Sequence, residues 1–209
     1  MAIKTDDVFI YPTDTVWGIG CSLNSSIGHA RIVEIKKTSK NKPLSIMFAS
    51  VKDIYNNFHF PEEMTLVWLE EFFKLETTLG YPLKASKIKI PKWATGESHY
   101  LSVRSLETEV VRSIYQDIQA PFFSTSLNLT GSAPIISTAE ALTFQQKLAP
   151  DAHFIESNKQ DDLSGSSSTI IFFQENLDFE IKREGRKIEE VKNHLMKLFQ
   201  GKNKNEINF

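Results

Sequence analysis

Three polar stretches stand directly against apolar runs, where folding alone needs no hydroxyl, amide or ammonium groups. The first, Tyr11-Pro-Thr-Asp-Thr-Val-Trp-Gly18, continues the apolar run Val8–Tyr11. Threonine hydroxyls and a carboxylate at a strand end can orient a small polar ligand, and can equally cap an ordinary turn. The second, Lys36-Lys37-Thr38-Ser39-Lys40-Asn41-Lys42-Pro43-Leu44, places four lysines in seven positions. Lysine ammonium groups can neutralise phosphate, and lysines at a helix C-terminus also complement the helix dipole. The third, Ser124-Thr-Ser126-Leu-Asn128-Leu-Thr130-Gly131, sets hydroxyls and an amide before a glycine, a donor set suited to phosphate or carboxylate oxygens. Ser164-Gly-Ser-Ser-Ser168 is a further polar loop, and Arg104 and Arg183 each end an apolar strand-like run.

Other familiar chemistry is poorly matched. Gly18-x-Gly20 opens like a dinucleotide fingerprint, but the third glycine position holds Leu23. No Gly-Lys-Ser/Thr phosphate loop occurs. The five histidines are scattered and Cys21 is the one cysteine, so no metal-ligand spacing is expected and Cys21 reads as a buried thiol. Acidic pairs such as Glu62-Glu63 read as solvated surface.

The elements that must position these groups alternate. Strands are predicted over 8–11, 44–48, 87–90, 100–103, 122–124, 169–173 and 179–183. Helices are predicted after a Ser25 or Ser26 cap (Ile27, Ala30, Val33 and Ile35 inward, stopped by Pro43), from Ser50 through Ile54 and Phe58, over 61–73, 107–117 and 137–148, and finally with Ile188, Val191, Leu195 and Leu198 inward. The pattern predicts an α/β fold, and the late strands sit too close together for crossover helices, which favours a mixed, twisted sheet. One domain over 1–200 with a disordered tail over 201–209 is the expected organisation.

Hydrophobic residues make up 41% of the 209, and charged residues 24%, an ordinary globular balance. The formal net charge of -2 argues against nucleic-acid binding by bulk charge, so any anion site must be a local cluster. No membrane span or signal peptide is read, and a cytoplasmic location is expected.

The order and spacing of the segments resemble the YrdC family over about residues 8–185. The family's Pro-Thr-Asp/Glu-Thr-Val-Tyr-Gly matches Pro12-Thr-Asp-Thr-Val-Trp-Gly18, and its Lys-x-Arg…Lys-Pro-Leu matches Lys36-Lys-Thr38…Lys42-Pro-Leu44, with Thr38 where the arginine would stand. Val103-Arg104, Ser124-Thr-Ser-Leu-Asn128-Leu-Thr-Gly131, Ser168-Thr-Ile170 and Lys182-Arg183-Glu-Gly185 follow in family order, whereas the usual Pro-Gly-Pro-x-Thr is not recognisable in 73–80. The resemblance implies a YrdC-like sheet with flanking helices and a concave cleft. It implies an L-threonylcarbamoyladenylate synthase that makes threonylcarbamoyl-AMP and pyrophosphate from L-threonine, bicarbonate or CO2, and ATP with Mg2+. By the same analogy Thr13, Ser45, Arg104, Ser124 and Ser168 line the threonine side. Lys36, Lys40, Tyr100, Ser126, Asn128 and Arg183 hold ATP, with Lys36, Arg104 and Ser126 closest to the chemistry. Downstream tRNA threonylcarbamoyl-transfer proteins are the implied partners. The departure at Thr38 motivates one alternative, a non-catalytic module binding tRNA or other double-stranded or structured RNA. Another is a carbamoyl-adenylate enzyme with a different acceptor.

Overall fold

A computed structural model of the chain describes residues 2–39, 44–156 and 163–199. Its centre is a nine-stranded mixed sheet, counted among those residues, in the order β7-β1-β2-β6-β3-β5-β4-β8-β9. The strands are β1 (Val8–Pro12), β2 (Trp17–Ser22), β3 (Ser45–Phe48), β4 (Thr77–Pro82), β5 (Tyr100–Ser105), β6 (Phe122–Ser126), β7 (His153–Phe154), β8 (Thr169–Phe173) and β9 (Phe179–Arg183). The pairs β1·β7, β3·β5 and β4·β8 are parallel, and the other neighbours are antiparallel. The expected mixed α/β sheet is therefore the observed one.

Helices α1 (Ser26–Lys36), α2 (Val51–Asn57), α3 (Leu66–Lys74), α4 (Lys92–Thr95), α5 (Glu109–Ile118), α6 (Thr138–Leu148) and α7 (Ile188–Leu195) flank the sheet. Side-chain oxygens fix the starts of five of them. Ser25 accepts from the Gly28 N–H, Ser50 from Asp53, Thr65 from Trp68, Thr108 from Val111 and Ser137 from Glu140. The Thr65 cap explains why the helix expected from Pro61 begins only at Leu66, after a turn closed by Met64 N–H to the Pro61 carbonyl.

Strand alternation sends successive side chains to opposite faces and divides the apolar residues into two cores. Ile10, Ile19, Ile46, Leu79, Val103, Phe123 and Ile171 join Ile32, Ile54, Leu69, Phe72, Phe144 and Leu195 from five of the helices in the larger. On the other face Phe9, Tyr11, Met47 and Phe122 pack with Val111 and Ile114 of α5. α5 covers one end of that face, and polar side chains line the rest.

Three sequence expectations are corrected. Residues 87–90 form no strand: Lys87 N–H reaches the Asn57 carbonyl, and the only ladder contact nearby is the Phe58–Ser86 bridge. Ile88 and Ile90 are held against the larger core without a partner strand. Ile27 and Ala30, expected to face inward on α1, are exposed, Ile27 at 64%, because the buried stripe runs through Gly28, Ile32 and Ile35. β2 and β4 were not anticipated. Pro43, expected to stop α1, and the tail over 201–209 lie outside the described residues.

Candidate active site

The registers convert sequence alternation into the floor of a cleft. Ser124 pairs with both Gly20 and Ser45, Gly80 with both Ser102 and Phe172, and Ile46 with Val103. One row across the sheet therefore reads Gly20, Ser124, Ser45, Ser102, Gly80, Phe172. Two residues along, on the same face, a second row holds Phe122, Met47, Arg104, Thr78 and Ile170. Two residues the other way come Gly18 and Ser126, with Tyr100 and Pro82. Small and hydroxylated side chains leave this face concave. Gly20 must be glycine, since a Cβ would sit 2.6 Å from the Phe123 carbonyl.

A cavity of about 220 Å³ opens above these rows. It is lined by Thr13, Ser45, Thr78, Ser102, Arg104, Ser124, Ser126, Ser168 and Arg183 among others. Thr13, Ser45, Arg104, Ser124 and Ser168, the residues that the resemblance assigns to threonine, are thus gathered from five parts of the chain. At one end Arg104, 8% exposed, donates from Nη2 to Asp14 Oδ1 at 2.5 Å and from Nη1 to Thr15 Oγ1 at 3.2 Å. Arg183 donates from Nε to the Ser168 carbonyl at 2.9 Å and from Nη2 to Ser168 Oγ at 3.1 Å. Ser168 Oγ meets Thr78 Oγ1 at 2.9 Å. Burial, and secondarily the like charge of Arg104, lower the Arg183 pKa. Two cations therefore share one end of a cleft in which, among the described residues, Asp14 is the carboxylate bonded to either of them. Arginine stays charged regardless, so the arrangement favours an anionic guest.

The floor is braced on its own face by the neighbouring strand β1. Tyr11 OH lies 2.5 Å from Ser124 Oγ, and burial drives the phenol pKa well above its ordinary value, so Tyr11 remains a neutral partner for the serine. Thr13 is turned inward: its hydroxyl donates to the Val16 carbonyl at 2.6 Å and accepts from the Thr15 and Val16 N–H groups. It therefore shapes the β1–β2 turn while its side chain lines the cleft.

At the opposite end the expected phosphate ligands are arranged differently from the sequence reading. Lys36 is 4% exposed, and its ammonium donates to the Ser126 carbonyl, to the Asn128 carbonyl at 2.7 Å and to Asn128 Oδ1 at 3.1 Å. Three donors meet three acceptors, so Lys36 organises the 126–132 loop from below. Thr130 reciprocates, donating from N–H and Oγ1 to the Lys36 carbonyl, each at 3.1 Å. Asn128 Oδ1 also accepts from Ser126 Oγ at 2.7 Å, and its Nδ2 donates to the Ser132 carbonyl at 2.6 Å. Of this group only Ser126 lines the cavity. Arg183, expected on the nucleotide side, sits instead beside Ser168 at the Arg104 end. Tyr100 lies outside the cavity and lines a neighbouring concavity. Lys40 falls outside the described residues.

Asp14 and Thr15, read from sequence as either ligand-orienting or turn-capping residues, prove to orient Arg104. Thr78, Ser102 and Ser167 were missed. The available signal was the alternation itself: Thr78-x-Gly80, Ser102-x-Arg104 and Ser124-x-Ser126 each keep one face of a buried strand small or polar. Cys21 is buried away from the cleft with its thiol pushed up to about 12, as an inert core residue should be. Two other concavities are larger, about 820 Å³ beside Tyr100 and 330 Å³ beside Glu70. Size does not select the site here, because the two arginines and most of the inward hydroxyls converge on the smallest.

Residues 1–185 match the Sua5/YciO/YrdC family model, which carries the description "telomere recombination". Threonylcarbamoyl-AMP synthase of Klebsiella pneumoniae is 29% identical over 141 residues, covering 66% of this chain and 72% of that protein. The same-named protein of Xanthomonas axonopodis pv. citri is 30% identical over 143 residues, covering 66% and 73%. Among solved structures, P. abyssi Sua5 complexed with L-threonine superposes with a TM-score of 0.72 at 22% identity, covering 89% of this chain and 54% of that one. E. coli YciO gives 0.69 at 18% identity, covering 86% and 84%. Full-length HypF in a phosphate- and nucleotide-bound form gives 0.68 at 16%, covering 87% and 27%. The chain spans about half the length of the P. abyssi protein, and these structural likenesses concern the fold.

Proposed function

The chain belongs to the Sua5/YciO/YrdC family, and on that premise we propose that it is an L-threonylcarbamoyladenylate synthase. L-Threonine, bicarbonate or carbon dioxide, and ATP would yield threonylcarbamoyl-AMP and pyrophosphate, the adenylate then serving threonylcarbamoyladenosine formation in tRNA. The observation that carries this reading is the convergence of Arg104, held by Asp14, and Arg183, held by Ser168, on one end of a hydroxyl-lined floor. Named relatives near 29% identity and a fold neighbour solved with L-threonine support the same substrate.

The chemistry asks little of the protein beyond alignment and charge. The threonine amine and bicarbonate condense to an N-carboxylate with loss of water. A carboxylate oxygen then attacks the α-phosphorus of ATP, the bond to the bridging oxygen breaks, and pyrophosphate leaves. No covalent enzyme intermediate is required. Arg104 has five N–H donors, and Asp14 and Thr15 occupy two. The remaining donors can fork the threonine carboxylate while Asp14 keeps the guanidinium aimed. Serines 45, 102 and 124 supply donors midway along the floor, where the α-phosphate would lie. Ser126 and the loop organised by Lys36 face the departing pyrophosphate. Magnesium, supplied with ATP, would offset the triphosphate charge and help pyrophosphate leave. The substrates argue for a cytoplasmic enzyme, and no described helix is long and apolar enough to cross a membrane.

The decisive experiment incubates pure, folded protein with all three substrates and looks for threonylcarbamoyl-AMP by mass spectrometry. Its formation, dependent on both threonine and bicarbonate, is expected. A carbamoyl-adenylate formed only with another amine, or salt-sensitive RNA binding without nucleotide turnover, would overturn the assignment.

A further inference from the structure

One buried carboxylate does not line the cleft but touches what holds it. Glu76 stands between α3 and β4 at φ +57°, a left-handed conformation that side chains rarely adopt. Its side chain is only 8% exposed. Oε1 accepts from Arg186 Nη2 at 2.6 Å, Oε2 accepts from Ser164 Oγ at 3.0 Å, and Arg186 Nε donates to both oxygens at 3.1 Å. Lys187 Nζ stands 3.4 Å from Oε1, and the Glu76 carbonyl accepts from Thr169 N–H at 3.0 Å. Ser164 carries this anchorage to the β1–β2 turn. Its N–H donates to the Asp14 carbonyl at 3.1 Å, and Gly165 N–H donates to the Thr15 carbonyl at 2.9 Å. Glu76 and Asp14 are thus joined through one residue, Ser164, four positions before the Ser168 that holds Arg183.

Charges alternate along this path: Arg104 is paired with Asp14, and Arg186 with Glu76. The hydrogen bonds to Glu76 do most to raise the Arg186 pKa. Slight burial opposes the rise, and the charges of Glu76, then Asp14, then Glu190 add to it. Asp14 therefore lies within the reach of two guanidiniums, one of them already satisfied elsewhere. We infer that, with Arg104 read as the fork for the substrate carboxylate, Glu76 is its positioning residue: by holding Arg186 it reserves Asp14 for Arg104. A guanidinium pairs most strongly with a carboxylate, so Arg186 deprived of Glu76 turns to Asp14, whose charge acts on it more than that of Glu190. Arg104 then loses the partner that keeps it aimed into the cleft. A purely structural anchor behaves differently. There, each further contact removed from the Glu76 cluster only adds to the damage.

Titration calorimetry with L-threonine, together with NMR of the arginine side-chain N–H groups, tests this; Arg104→Lys assigns the Arg104 signal. Glu76→Gln should weaken L-threonine on the order of tenfold and shift the Arg104 Nε–H signal. Adding Arg186→Gln should reverse both changes, with affinity back to within about threefold of wild type, although the protein has lost a further contact. Arg186→Gln alone should leave both readings near wild type, because Arg104 keeps Asp14. Should Glu76→Gln fail to fold, Glu76→Asp keeps the charge but withdraws it by one methylene. It should show the same changes in smaller measure, again relieved by Arg186→Gln. A double variant that binds L-threonine no better than Glu76→Gln, or an Arg104 signal unmoved in Glu76→Gln, would overturn this role. Wild-type protein that binds no L-threonine would remove the threonine reading alone, since the Arg104 signal still reports whether Arg186 takes Asp14.

Discussion

Arg104 shows how a single side chain can be both fixed and available. Asp14 and Thr15 take two of its donors at 2.5 and 3.2 Å, and the planar fork still presents the others to the cleft. Lysine could satisfy Asp14 but would have no second rigid edge for a carboxylate. Arg104→Lys is therefore expected to raise the KM for L-threonine at least tenfold, about 1.4 kcal/mol, with a much smaller change for ATP. Steady-state pyrophosphate release with each substrate varied in turn measures both; an unchanged threonine KM would place the amino acid elsewhere. At this scale the sequence was informative wherever a polar residue stood at a strand end without a structural duty. Arg104, Ser124, Ser126 and Ser168 reach the cleft for that reason. Lys36 did not follow the same logic, because its destination depends on three acceptors some ninety residues away, which no local pattern encodes.

The loop over 126–132 is held in place by a helix end. α1 finishes on Lys36, whose side chain binds the Ser126 and Asn128 oxygens and whose carbonyl receives Thr130, so two distant segments are closed on one another. Lys36→Ala would leave those oxygens without their donor, at a cost of about 1–3 kcal/mol, and release Ser126 from its place at the cleft edge. Turnover should fall at least tenfold, and Lys36→Arg should not restore it, because a planar guanidinium cannot reproduce three donors converging from one nitrogen. Differential scanning calorimetry alongside the pyrophosphate assay separates the two effects; near-normal turnover with normal stability would show that the loop does not depend on Lys36. Elements themselves were legible where periodicity and caps agreed, as for α5 behind Thr108 and α6 behind Ser137. β2 and β4 were not, since Trp17–Ser22 and Thr77–Pro82 carry the glycines and prolines that normally signal turns. Their glycines are there for close packing: a Cβ at Gly80 would come within 2.0 Å of Phe172. Residues 87–90 failed in the other direction, showing alternation that no neighbouring strand takes up.

The molecule is asymmetric about its sheet, with a dry helical layer on one face and a polar cleft on much of the other, and its response to acid should follow that division. Two histidines are sealed in the dry layer. His29 of α1 packs edge-on to Phe123 and against Trp93, with centroids 5.5 and 5.2 Å away. His194 of α7 stacks on Trp68 of α3 at 4.7 Å, and its Nε2 lies 3.0 Å from the Trp68 carbonyl. Burial lowers both pKa values below the ordinary 6.5. For His194 the Trp68 carbonyl opposes the shift, Lys197 adds to it, and Glu71 across the helix interface opposes it weakly. Each ring is therefore neutral in the fold, and the unfolded chain binds protons more readily. The stability this contributes is fully present above about pH 6.5 and is lost as pH falls through the lowered folded-state values. Glu76 adds to the trend. Burial would raise its pKa, but hydrogen bonds from Arg186 and Ser164, with the charge of Lys187, bring it below the ordinary value. Its contribution drops out at lower pH still. Thermal melting between pH 7.5 and 5.0 should show Tm falling on the acid side. A His29→Phe/His194→Gln double variant should have a flatter profile across pH 6.5–5.5 than the wild type, even if it melts lower throughout. An unchanged slope in that window would mean that acid enters through the cleft and not through the helical layer.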